Sequence, residues 1–179
     1  MAKQVDTVYG NALFELALDE HLIDSLYEEV LALIDILKEN EELIKLLQHP
    51  QIDRDSKVKI IEDTFGGRIS DHITGLMVMV VDKGHVASMI SIFSYFIKLV
   101  KKEKNIGVAS VTSAVALTDS QKANIEKRLI ETTRYSTMEI AYQVDTSLIG
   151  GLVIRIEDRV VDSSIKTQLE TLSKTLANA

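Results

Sequence analysis

Apolar residues recur at helical spacing through the first hundred positions, and the recurrence breaks at a few polar residues, glycines and one proline. Ile23, Leu26, Tyr27, Val30, Leu33, Ile34 and Leu37 form one stripe at i, i+3, i+4 and i+7 intervals, the pattern of an amphipathic helix. From Tyr9 to Leu18 the apolar positions cover more than one side of a helical wheel. Asn40 is placed to cap a short helix with Leu43, Ile44, Leu46 and Leu47, which Pro50 stops. Asp53 is placed to cap the next, carrying Val58, Ile61 and Phe65 and ended by Gly66-Gly67. Ser70 opens a strongly apolar segment from Ile73 to Val81, closed by Lys83-Gly84. A last helix carries Met89, Ile90, Phe93, Phe96, Ile97 and Val100. Its terminal Lys98, Lys101, Lys102 and Lys104 suit the negative end of a helix dipole. Six helices joined by short turns predict an N-terminal α-helical bundle.

At Asn105-Ile106-Gly107 the period changes. Val108 to Leu117 is rich in β-branched and small residues and predicts a strand. Thr118 to Gln121 matches a capping box and opens a helix running to about Thr133. Met138, Ile140, Tyr142 and Val144 then alternate with Thr137, Glu139, Ala141 and Gln143, as in a half-buried strand. Gly150-Gly151 precedes a strand from Leu152 to Ile156, and Glu157-Asp158 reads as a hairpin turn into Val160-Val161. Asp162 or Ser163 is placed to cap a final helix with Ile165, Leu169, Leu172 and Leu176 on one face. The expected architecture is mainly α: a six-helix bundle over 1–105, then a small α+β domain over 106–179.

Composition narrows the function classes. The chain has 179 residues, 46% hydrophobic and 26% charged, proportions of a soluble globular protein that folds without metal or disulfide staples. It has no cysteine, which excludes disulfides, thiolate nucleophiles and cysteine metal sites. The net charge of −7 is uneven. Residues 1–53 hold 3 Lys/Arg against 12 Asp/Glu, and the other 126 hold 17 against 15. An acidic N-terminal surface disfavours nucleic acid and anionic lipid. The first ten residues lack the apolar core of a signal peptide. The longest strictly apolar run, Leu76–Val81, is far short of a bilayer span. The expectation is a cytosolic protein, or one peripheral to a membrane through a partner.

Catalytic patterns are mostly missing. Gly66-Gly67-Arg68-Ile69-Ser70 has glycines, a cation and a serine but not the spacing that cradles phosphates, and reads as a helix stop followed by a cap. His21, His49, His72 and His85 are scattered, with no HExxH and no i, i+4 pair. No GxSxG elbow is present, and Asp162-Ser163-Ser164 reads as a cap. Asp53/Asp55 and Glu62/Asp63 are ordinary carboxylates of helical first turns and solvated faces. No catalytic residue, metal or cofactor is expected. What stands out is surplus apolar surface: Ile73 and Leu76 to Val81 point in nearly every direction around one helix. Such a helix is either central to the bundle or packed on one side and open to a partner helix on the other.

The run Val144-Asp145-Thr146-Ser147-Leu148-Ile149-Gly150-Gly151, with Val153-Ile154-Arg155-Ile156 and Val161-Asp162-Ser163-Ser164-Ile165, resembles the signature of ATP synthase delta subunits. Their mitochondrial counterpart, the oligomycin-sensitivity-conferring protein, shares it. Tyr9-Gly10-Asn11-Ala12-Leu13-Phe14 is similar to that family's opening motif, and Leu47-Gln48-His49-Pro50 and Val111-Thr112-Ser113-Ala114 also have counterparts. Glu157 and Ser163 stand where the family commonly has glycine, so a positive φ at Glu157 would be strained.

The resemblance implies a non-catalytic stator subunit, part of the peripheral stalk at the cytoplasmic face of the cell membrane, resisting torque during ATP synthesis. It implies that the bundle binds the N-terminal helix of an α subunit between the first and fifth helices. The residues expected there are Tyr9, Ala12, Leu13 and Leu16 with Ile73, Leu76, Met77 and Val80. The second domain would hold the C-terminal region of the b subunits, with Gly150, Gly151, Arg155 and Asp162 as structural signature residues. The competing expectation is a free-standing adaptor of the same architecture.

Overall fold

The computed structural model describes residues 2–177 of the chain. The chain is mainly helical with a small four-stranded sheet, and it divides into two compact units, Met1–Lys101 and Lys102–Ala179.

Helices α1 (Ala2–Asp19), α2 (Ile23–Glu39), α3 (Glu41–Gln48), α4 (Arg54–Phe65), α5 (Asp71–Asp82) and α6 (Met89–Glu103) come first, with a 3₁₀ turn at Val86–Ser88. The α2 stripe points inward: Leu26, Val30, Leu33, Ile34 and Leu37 are buried, and Ile23 and Tyr27 are half-buried against the same core. Phe93 and Phe96 of α6 are the largest fully buried side chains there. A side chain at Gly10 would run into the Tyr95 ring, so its absence lets α1 lie close on α6. The Ser91 hydroxyl donates to Asp6 at 2.9 Å across that crossing.

Several helix ends follow the expected chemistry. The Asp53 carboxylate accepts from the Ser56 N–H at 3.0 Å, and the Ser70 hydroxyl oxygen accepts from the His72 N–H at 3.3 Å. At the end of α5, Gly84 adopts φ +72°, with His85 N–H on the Val80 carbonyl and Gly84 N–H on the Val81 carbonyl, a Schellman motif. Asn40 departs from expectation. It makes no side-chain cap for α3, and its amide donates instead to the Ile36 carbonyl at 2.8 Å, sealing the end of α2. The α1 terminus uses the same Schellman geometry without glycine: His21 takes φ +58° and the Leu22 N–H reaches the Ala17 carbonyl at 2.9 Å.

The second unit holds β1 (Ile106–Ser113), α7 (Asp119–Thr132), β2 (Thr137–Val144), β3 (Leu152–Ile156), β4 (Arg159–Asp162) and α8 (Ile165–Ala177). The strand order is β2-β1-β3-β4. β1 and β2 are parallel with α7 as their crossover, Ile106 facing Thr137 through to Ser113 facing Val144. β3 runs antiparallel to β1, and β4 returns along β3. Ala109, Leu129 and Met138 form a small core flanked by Ile125, Ile130, Ile140, Ile154 and Ile156. The strand expected to reach Leu117 ends at Ser113, whose hydroxyl donates to the Val115 carbonyl at 2.7 Å and helps turn the chain. The Thr118–Gln121 capping box is formed.

Two glycines give opposite predictions. Gly151 sits at φ +81°, and an added Cβ would collide with the Ser163 carbonyl. Gly75 lies inside α5 with open space around it. Gly151→Ala is expected to destabilise the second unit by about 1–2 kcal/mol or more. Gly75→Ala is expected to stabilise the first by about 0.5–1 kcal/mol. Urea titrations followed by NMR signals of each unit check both.

Candidate functional site

Helix α1 runs antiparallel along α5. Near one end, His72 of α5 meets Glu20, just past the end of α1, at 3.0 Å; near the other, the Tyr9 ring lies 6.2 Å from that of His85, just past α5. Of the eight residues expected to dock a helix, Leu13, Ile73, Leu76, Met77 and Val80 are buried. Tyr9 and Leu16 are half-buried, and Ala12 is exposed. These five belong to the buried core of the first unit, beneath the α1–α5 seam. The reachable apolar surface includes three positions that pattern reading passed over. Val8 lies one turn before Ala12 on α1. Gly75 and Met79 (51% exposed) share the stripe of His72, the α5 residue that reaches the end of α1. The signal was present as a second, weaker i, i+4 stripe opposite the buried one, masked by the apolar run Leu76–Val81.

The signature residues of the second unit are scaffold. A side chain at Gly150 would meet Ile165, and the Gly150 carbonyl accepts from the Ile165 N–H at 3.0 Å. Arg155 is exposed at the middle of β3, paired with Ser110 and Val160. Asp162 accepts from the Ser164 N–H and the Thr167 hydroxyl, each at 2.8 Å. The capping of α8 differs from expectation: Ser164, almost wholly buried, accepts from the Thr167 N–H at 3.2 Å, while the Ser163 hydroxyl donates to the Leu152 carbonyl at 2.9 Å. Glu157 takes φ +49°, and its carboxylate accepts from the Tyr135 hydroxyl at 2.8 Å. That bond ties the strained turn to the start of β2.

Helix α8 itself is bare. Residues 165–176 are exposed throughout, and Ile165, Leu169, Leu172 and Leu176 range from 41% exposed at the first to 78% at the last. Their spacing of four, three and four is that of a coiled-coil heptad seam. Val160 and Val161 on β4 and Ile149, at φ +66°, add further exposed apolar side chains. The capped helix therefore presents an exposed apolar stripe.

Among the described residues, no helix is long and apolar enough to cross a membrane, and no three His, Asp or Glu side chains are grouped to hold a metal ion.

Comparisons with known proteins agree in one direction. The sequence model of the family described as ATP synthase delta (OSCP) subunit matches residues 5–176. An ATP synthase subunit delta from Lachnoclostridium phytofermentans is 49% identical over 98% of this chain and 97% of its own. One from Desulforudis audaxviator is 34% identical over 94% and 92%. Among solved structures, a chain of the Toxoplasma gondii mitochondrial ATP synthase hexamer superposes with a TM-score of 0.77 at 15% identity, covering 96% of this chain and 97% of that one. That likeness concerns the fold.

Hydrogen bonds from Ser164, backbone first, and from Thr167 hold the Asp162 carboxyl below its ordinary range. A depressed folded pKa contributes stability that is present above the unfolded value of about 3.9 and lost as pH falls through the folded one. The start of α8 is thus expected to stay capped at pH 4–5 and to loosen only in stronger acid. An NMR titration of the Asp162 carboxyl checks this, with a midpoint expected below that of an ordinary aspartate. In Asp162→Asn the acid-dependent loosening should vanish.

Proposed function

Since the chain belongs to the ATP synthase delta (OSCP) subunit family, we propose that it holds two partner helices, one on each of its units. It is a non-catalytic, structural subunit of the peripheral stalk of a rotary ATP synthase, a membrane-associated complex. Residues 1–105, taken as a six-helix bundle, receive the N-terminal helix of an α subunit along the α1–α5 seam. Residues 106–179 receive the C-terminal region of the b subunits along α8. On this reading the protein sits peripherally, at the cytoplasmic face of the cell membrane.

The observation that carries the reading is the bare face of α8. Burying a leucine or isoleucine fully is worth about 1.5–3 kcal/mol, and four such side chains on one stripe ask for a helix of matching period. On the α1–α5 seam, Val8, Ala12, Gly75 and Met79 are mostly small or flexible, which suits close approach of a second helix and adaptable packing. Torque in the head would load these contacts sideways. The buried side chains beneath the seam, Leu13 and Met77 among them, supply the close-packed, low-compressibility support that such a load requires.

Two substitutions on exposed side chains separate the two surfaces. Met79→Glu is expected to weaken binding of a synthetic α-subunit N-terminal helix tenfold or more, about 1.4 kcal/mol, with b-subunit binding unchanged. Leu172→Glu should do the reverse. Calorimetric titration of each peptide into each variant checks this. Unchanged affinities in variants with parental melting curves would remove the corresponding surface from the reading.

A further inference from the structure

We propose that a second surface of the first unit, the cleft between α2, α3 and the α4–α5 turn, docks an amphipathic helix with lysine or arginine beside its apolar stripe. The cleft encloses about 630 Å³, and no residue of α1 or α5 lines it. Leu33 and Phe65 form its buried floor, Leu43 and Ile69 its half-buried walls, and Ile36, 45% exposed, its lip. The wall it takes from α2 extends from Glu29 to Asn40, the residue just past the helix, about 16 Å or three helical turns at 1.5 Å per residue. An open apolar trough of that length fits one helix laid along it with anchors at i, i+3 or i+4, and i+7.

Charge decides which helix. On α2, Glu28, Asp35 and Glu39 are exposed and fall on the stripe flanking Ala32 and Ile36, and Glu42 is exposed beside Leu43 on α3. The cations nearby do not offset them. Lys45 is ion-paired to Glu41 at 3.2 Å, and Lys38 lies on the far side of the α2 wheel. Arg68, on the α4–α5 turn, is the one cation among the residues that line the cleft, against four carboxylates on α2 and α3, and Glu29 is already engaged by the Ser70 N–H at 2.7 Å. A row of carboxylates along one edge of an apolar floor favours a partner with positive charge on one flank and disfavours an acidic one.

The test uses the full chain and a 20-residue helical peptide with leucines at i, i+3, i+4 and i+7 flanked by lysines, against the same peptide with glutamates in their place. The lysine peptide is expected to perturb the NMR signals of Ala32, Ile36 and Leu43 and to bind at least tenfold more tightly than the glutamate peptide. Ile36→Glu should weaken it tenfold or more. Replacing Glu28, Asp35 and Glu39 together by Gln should weaken it severalfold and flatten its salt dependence. Met79→Glu, on the other seam, should leave it unchanged. Absence of binding, equal affinity for the two peptides, or shifts confined to α1 and α5 would overturn the proposal. Should Ile36→Glu perturb the fold, the exposed glutamine triple decides, and unchanged affinity there overturns it equally.

Discussion

Helix α5 carries more apolar side chain than any single neighbour hides, and the first unit is arranged around that excess. Ile73, Leu76, Met77, Val80 and Val81 are buried, Val78 is half-buried, and only Met79 in the run is left in water. Covering so broad a face needs helices on several sides. α4 packs on one side and α1 lies antiparallel along another, tied near its ends by the His72–Glu20 and Tyr9–His85 contacts. Close packing then fixes the rest: Gly10 gives up its side chain so that α1 also meets α6. The strip of α5 that stays open is therefore narrow and sits beside α1. The apolar segment is thus a largely buried helix with one strip left uncovered.

The second unit is built on the opposite principle. Its buried core is a few side chains between α7 and the sheet, and backbone hydrogen bonds within the four strands carry much of its order. α8 contributes little to that core. A 13-residue helix exposed along its length is marginal in water unless something packs on it. The Ser164 cap, the Asp162 hydrogen bonds and the Gly150–Ile165 contact fix where it starts, not whether its far end persists. A second helix packed on such a face would add to its stability more than the small core of the unit does.

The helices of the first unit were legible because their buried faces obey one period over three to five turns, as in α2, and because Asp53 and Ser70 cap as their chemistry dictates, as Thr118 does for α7 in the second unit. Asn40 misled because it lies between two helices and its amide satisfies the end of the first, an equally good use of the same group. The end of β1 was misplaced because Val115 and Leu117 have strand composition, whereas the turn is made by one serine hydroxyl. Strand pairing was not written in any local pattern, since register depends on the whole sheet. Of the residues expected to dock a helix, burial was what the pattern conveyed. Apolar periodicity finds what a helix buries, so it returned Ile73 and Met77. A contact face consists of what the fold leaves over, visible only once the core has been assigned.

The titratable groups carry the same lesson. Among the described residues, those pushed clearly off their ordinary values are Asp53, Asp145, Asp162, Tyr135 and Tyr142. Asp53 is lowered by Ser56 at the start of α4, Asp145 by Ser147 in a 3₁₀ turn, and Asp162 by Ser164 before α8. Tyr135 is raised by its hydrogen bond to Glu157 at the hairpin, and Tyr142 by burial against α7, where its hydroxyl donates to the Lys122 carbonyl at 3.3 Å. In an enzyme such perturbations converge on one cleft, where they tune a proton transfer. Here each secures a different helix start, turn or strand. Side-chain hydrogen bonds spent on chain reversals stiffen the places where a loaded backbone would yield first, which is the requirement on a subunit that transmits force and performs no chemistry.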